Sequence, residues 1–291
     1  MKSRVLVGAL LMLLTGCAET GHRIWCAERY LPNLEKKPVM DNGHLRFAKH
    51  GYPYAVAASV VLERADDDTN YNFALPGRFS KILSREGSFG FEATAFDVKG
   101  RTESNGDEVV VAFTGSNDWV DWFFTNFLWF RAQYNQARVF VKEIAVLRPE
   151  KRLVVTGHSL GGALAVHVTK SPETGDLVSE AWAFSPSPKI WASSDPNPKI
   201  YLGAARGEIL SSLRSHFFNF VPGISDIGAL KDQSAEKFDL IRTTSIYGHY
   251  RWVVTRNMLH VADYATLRNG DVPNSEPLEI LRQWHPTECS V

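Results

Sequence analysis

Residues 152–168, RLVVTGHSLGGALAVHV, change character halfway along. Leu153, Val154 and Val155 form a short branched apolar run, the pattern of a strand covered on both faces. From Gly161 onward Gly162, Ala163 and Ala165 supply small helix formers. Between the two lies Gly157-His158-Ser159-Leu160-Gly161. Glycines around one serine at such a junction indicate a backbone that other residues could not follow. A buried strand that turns at once into a helix needs a sheet with helices packed over it.

The rest of the chain repeats this alternation. Glu108 to Phe113 (EVVVAF) and Ala181 to Phe184 read as buried strands, and Gly90 to Val98 as an alternating one. Tyr54 to Leu62, Gln136 to Leu147 and Gly162 to Val168 read as helices. Leu213 to Phe220 reads as a further strand, and the Pro-rich stretch from Pro186 to Ala205 as loop. The expected class is α/β, a mostly parallel central sheet with helices on both faces. No linker divides the chain after residue 43, so 44–291 is expected to be one domain. Lys+Arg and Asp+Glu both number 32, and this balance leaves no basic field for nucleic acid.

The first residues read differently. Lys2 and Arg4 precede an apolar run, Val5 to Leu14, that is too short to span a bilayer, which takes roughly 20 residues. It fits a secretory signal. Leu14-Thr15-Gly16-Cys17 resembles the lipobox of bacterial lipoproteins. The resemblance implies a signal peptide over 1–16, an acylated Cys17 and a lipidated tether over 17–43. Ala18 is not the aspartate that retains many such proteins in the inner membrane, so the outer membrane of a bacterial envelope is the expected location. In an oxidising compartment Cys26 and Cys289 are expected to pair as a disulfide. Neither has a second ligand at metal spacing.

The motif G-x-S-x-G at 157–161 is that of a nucleophile elbow, in which a strained turn lifts a serine over a helix N-terminus. Here the resemblance widens. VVTGHSLGGALA looks like the nucleophile segment of the class 3 lipases, a branch of the α/β-hydrolases. EVVVAFTGSNDWVDWFFTN, residues 108–126, is similar to the family's oxyanion and lid segment, in the same order. Thr114 stands where the family usually has arginine. The resemblance implies an α/β-hydrolase fold with Ser159 as nucleophile. The oxyanion would be held by Ser116 and by Leu160, the residue after the nucleophile. Trp119, Trp122, Phe123 and Phe127 lie in a run that is apolar on nearly every helical face, and they would form a lid and acyl pocket; plain core packing is the competing reading.

A serine hydroxyl also needs a base, and the base an acid, in the chain order Ser, acid, His. His260, in NMLHVADY, resembles the family's last segment and is the expected base, with His249 in YGHY its rival. Asp226, in the loop VPGISDIGAL, is the expected acid, ahead of Asp195, Asp232 and Asp239. The activity implied is hydrolysis of lipid acyl esters, triacylglycerol lipase-like, through a Ser-His-Asp triad and an acyl-enzyme. A phospholipase A, a short-chain or acetyl esterase, and a non-catalytic envelope lipoprotein are the alternatives. No metal or cofactor is called for. The expected partners are an ester substrate and a membrane, reached through Cys17.

Overall fold

A computed structural model describes residues 42–63, 72–100, 106–115, 131–214, 222–238, 245–268 and 275–283. The elements in chain order are α1 (Asn42–Val60), β1 (Phe79–Glu86), β2 (Glu92–Val98), β3 (Glu108–Phe113), α2 (Arg131–Leu147), β4 (Arg152–His158) and α3 (Leu160–Lys170). They continue with β5 (Glu180–Phe184), β6 (Ile200–Ala205), α4 (Ile209–Leu213), β7 (Ser234–Phe238), α5 (Arg251–Arg268) and α6 (Glu276–Arg282). The seven strands lie in one sheet in sequence order. The pairings β1–β2 and β2–β3 are antiparallel, and those from β3 through β7 are parallel.

The apolar runs are continuous because both faces of the central strands are covered. On one face Val110 and Ala112 of β3, Val154 of β4 and Trp182 of β5 pack against α1, α5 and α6. On the other, Val109, Val111, Leu153, Val155 and Ala181 pack against α2 and α3. Successive residues of one strand thus feed two cores, as the period of two requires. The mostly parallel sheet with helices on both faces is the architecture expected from the alternation of elements.

Three segments depart from the sequence reading. The first helix starts at Asn42 and runs through Pro53, whereas the expected one begins at Tyr54, just after that proline. Proline in a helix interior costs about 3 kcal/mol. Here the turns on both sides of it are buried, Tyr52 and Tyr54 included, and Gly51 lets the helix lie against Trp182, where a Cβ would meet the ring at 2.2 Å. Burial outweighs the lost hydrogen bond. Second, residues 200–205, assigned to loop, form β6, a central strand. Gly203, Ala204 and Ala205 have weak strand propensity, but the segment is paired on both sides by β5 and β7. Third, the strand expected to start at Leu213 does not: Leu213 ends α4, and 215–220 lie outside the described residues. Among the described residues no helix is long and apolar enough to cross a membrane.

Candidate active site

All parallel strands point the same way, so the turns after β3, β4 and β6 open at one end of the sheet. Ser159 follows β4 directly, with φ 55° and ψ −119°, a conformation that side-chain-bearing residues seldom adopt. Such strain costs of order 1–3 kcal/mol and persists where the surroundings impose it. They do so through three backbone hydrogen bonds. Ser159 N–H donates to Phe184 O (2.9 Å), while Ser159 O accepts from Ala163 N–H (3.1 Å) and Ser187 N–H (3.0 Å).

The glycines of the motif answer to space. A Cβ on Gly157 would lie 2.3 Å from the Gly161 carbonyl carbon, and one on Gly161 would lie 2.2 Å from Phe113 O. Both close distances arise because the turn doubles the chain back over the end of β3. Gly115 sits in the same crowd, its Cβ position 2.7 Å from His158 O.

The Ser159 hydroxyl meets His249 Nε2 at 3.0 Å. His249 ends a short 3₁₀ turn, Tyr247–His249, just ahead of α5, and its ring is buried. On its far side Nδ1 lies 2.7 Å from Glu208 Oε2. Glu208 stands at the start of α4, three residues past the end of β6, with 1% of its surface exposed. Its carboxylate also accepts from Leu210 N–H (2.9 Å) and pairs with Arg214 Nη2 at 2.6 Å. Arg214 in turn reaches Glu236 on β7 (2.9 Å) and donates to Pro186 O (3.0 Å).

Burial alone would raise the Glu208 carboxyl. The charges of Arg214 and His249 and the hydrogen bonds from His249 and Leu210 outweigh it, and the carboxyl is pulled down to about 2. Glu208 is therefore an anion at any ordinary pH, fixed on the Nδ1 side of His249. The ring of His158 lies 5.0 Å from that of His249, and burial together with the His249 charge holds His158 well below the usual histidine range. The second imidazole is thus a neutral wall against the first.

Set against the expected site, the structure brings Ser159 together with His249 and Glu208, and not with His260 and Asp226. His260 lies inside α5, eleven residues beyond His249, and is buried. Burial first, and then the charge of Arg256, push it down to about 3. Asp226 is held in its own loop, where Oδ1 accepts from Gly228 N–H at 3.1 Å. Its charge acts on Lys170. Leu160 opens α3 directly after Ser159. Ser116, Trp119, Trp122, Phe123, Phe127, Cys17, Cys26 and Cys289 lie outside the described residues.

Glu208 was missed because β6 was missed: an acid after Arg206-Gly207 has meaning only once IYLGAA is a strand. A usable signal for His249 was its place in a short turn ahead of a helix, where a ring can face the sheet end. Among the described residues no three His, Cys, Asp or Glu side chains are grouped to hold a metal ion.

Residues 54–174 match a family described as phospholipase-like, with a Tle-like phospholipase domain. No curated protein matches the chain. Similar solved structures include a triacylglycerol lipase from Penicillium expansum, 14% identical over 67% of this chain and 82% of that one, with a TM-score of 0.44. A lipase from Rhizopus microsporus var. chinensis is 14% identical over 72% and 87%, with a TM-score of 0.44. The Lip2 lipase of Yarrowia lipolytica is 12% identical over 74% and 95%, with a TM-score of 0.42. The family match spans β3, β4, α3 and Ser159 but stops before Glu208 and His249. The matched segment thus contains Ser159, and Glu208 and His249 lie beyond it.

Proposed function

We propose that this protein is a serine hydrolase that cleaves acyl esters of lipids, with Ser159, His249 and Glu208 as its triad. The observation that carries the reading is the relay Glu208–His249–Ser159, at 2.7 and 3.0 Å, on a serine held at positive φ. The Ser159 O–H donates to His249 Nε2, and the His249 Nδ1–H donates to the Glu208 carboxylate. As Ser159 Oγ bonds to the ester carbonyl carbon, its proton passes to Nε2. Glu208 stabilises the imidazolium that results. The carbonyl oxygen becomes an oxyanion beside the N-terminus of α3, where the Leu160 N–H and the helix dipole favour negative charge. Ser116 is proposed as the second donor.

Collapse of that intermediate breaks the bond to the alcohol oxygen, which takes the proton from His249, and leaves an acyl ester on Ser159. Water, deprotonated by His249, attacks the ester and releases the acid with the serine restored. The relay requires neither metal nor cofactor.

The family match favours a phospholipid over a triacylglycerol as substrate. We further propose that residues 1–16 are a signal peptide and that acylated Cys17 tethers the domain to a bacterial envelope membrane. That tether would place the site beside its substrate. Trp119, Trp122, Phe123 and Phe127 are proposed as lid and acyl pocket, and Cys26 and Cys289 as a disulfide. The test is labelling with a fluorophosphonate probe, followed by acyl release from phosphatidylglycerol vesicles and from triacylglycerol emulsions. Wild type is expected to label and to release acid from the vesicles, and Ser159→Ala to do neither while keeping its circular dichroism. Undiminished turnover in Ser159→Ala rules the mechanism out; release from the emulsion alone rules out the phospholipid.

A further inference from the structure

We infer that the protein has a second ligand site, for a phosphate-bearing small molecule, at the amino end of the parallel strands. A cavity of about 630 Å³ opens there between α1 and the first residues of β3, β4 and β5. Its walls carry Arg46, Lys49 and His50 from α1, Arg78 and Lys99 from the open end of the β1–β2 hairpin, and Arg152 from β4. Ser159, Glu208 and His249 lie at the carboxyl ends of the strands, the opposite end of the sheet.

The cations converge by design of the helix. Arg46, Lys49, His50, Pro53 and Tyr54 are spaced i, i+3, i+4, i+7 and i+8, so one stripe of α1 faces the cavity. The neighbouring stripe, with Phe47, Ala48 and Tyr52, is buried in the core. The two acids of the cavity are already engaged. Glu108 and Glu180 are both bound by Arg152, each at 2.7 Å, and Glu108 also accepts from the Tyr54 hydroxyl at 2.9 Å. Arg78 is held by Glu276 of α6 at 2.8 Å. Among the described residues neither Arg46 nor Lys99 forms an ion pair, and both are exposed at the rim.

The chain as a whole balances its charges, so this excess of cations is local. A walled cavity of this volume suits a small molecule better than a flat protein surface. Arginine and lysine converging from separate elements match the several oxygens and double charge of a phosphate group. The floor is rigid. Tyr54 stacks on Trp182 with ring centroids 5.3 Å apart, and Trp182 on Tyr201 at 4.3 Å. A ligand would find the site already formed. The group could belong to a free phosphate ester or to a phospholipid headgroup.

Titration calorimetry on the intact protein with glycerol 3-phosphate, and sedimentation with phosphatidylglycerol or phosphatidylcholine vesicles, separate these sources. All are run on wild type, on Ser159→Ala and on the double variant Arg46→Ala/Lys99→Ala. Both positions of the double variant are exposed, and its folding is checked by its melting temperature. Saturable binding of glycerol 3-phosphate, weakened at least tenfold in the double variant and unchanged in Ser159→Ala, is the expected result and assigns a soluble ligand. Sedimentation with phosphatidylglycerol but not phosphatidylcholine vesicles, lost in the double variant alone, supports the site and assigns a headgroup. Binding equal in wild type and the double variant, binding lost in Ser159→Ala, or no binding to any probe overturns the inference. Capture of an acidic protein in place of these probes overturns it too. The site stands apart from the proposed hydrolase: Ser159→Ala can fail its own test with this one intact, and the reverse.

Discussion

The two ends of the sheet each hold an arginine between two glutamates, and they use it differently. At the amino end Arg152 spans Glu108 and Glu180 with 42% of its side chain exposed. At the carboxyl end Arg214 spans Glu208 and Glu236 with only 5% exposed, and Glu208 is fully buried. Water reaches Arg152 and screens its two pairs, although Glu108 and Glu180 are themselves only 12% and 14% exposed. In the second set Arg214 and Glu208 are out of water and depend on each other, while Glu236 remains 36% exposed. The same three side chains therefore make a surface clasp at one end and a fixed electrostatic frame for an imidazole at the other.

Removing groups at the carboxyl end should have the largest effects. His249→Ala is expected to lower kcat/KM for a p-nitrophenyl ester by at least about 10³-fold, in line with triads elsewhere. His260→Ala, compared in the same assay and corrected for folded fraction, should leave it within about threefold. The reverse ranking would restore His260 as the base. Glu208→Gln keeps the shape but removes the charge that sets the tautomer, and a loss of about 10²- to 10⁴-fold in kcat with KM little changed is expected. An Asp226→Asn variant should match wild type in that comparison.

Arg214→Met should act through stability as well as rate. It leaves Glu208 and Glu236 without their shared cation, and breaking a buried pair costs about 3–5 kcal/mol. Urea unfolding would read this. Arg152→Met, at the exposed end, should cost less than about 1 kcal/mol and leave kcat unchanged. Equal losses in the two variants would erase the contrast between the two ends.

A smaller effect concerns pH. His260, pushed down to about 3 by burial, is neutral in the folded protein where the unfolded chain would begin to protonate, near 6.5. Below that pH the unfolded state binds the extra proton, so stability falls as pH drops from about 6.5 towards 3. At pH 5 the contribution is about 2 kcal/mol. His260→Leu should flatten the urea midpoint between pH 7 and pH 5, and an unchanged slope would locate the loss elsewhere. Glu208 adds to the same trend only below its unfolded value near 4.5, and its stabilisation is lost as pH falls towards about 2.

Legibility in the sequence followed the distance over which each feature is decided. The strands β3, β4 and β5 were readable because burial on both faces leaves unbroken apolar runs. The helix α1 was readable only from Tyr54, since propensity places a boundary at Pro53 and tertiary burial removes it. The strand β6 was hidden altogether, because Gly203, Ala204 and Ala205 carry little strand preference. Its neighbours in the sheet impose the conformation.

Ser159 and its glycines form one local device. A turn that folds Gly161 onto Gly157 and Phe113 admits no side chain there, so the requirement is written in five adjacent residues. The proposed acid and base obey no such rule. His249 lies 90 residues from Ser159, and Glu208 lies 41 from His249. Histidine at 260 and aspartate at 226 offer the same functional groups in the same chain order. What separates the pairs is where the carboxyl end of β6 and the turn before α5 come to rest against the elbow. The sequence by itself therefore determined the serine turn and the layered sheet that presents it. Only the packed sheet could select Glu208 and His249, because a proton relay is set by distances of about 3 Å, and these exist only after distant segments meet.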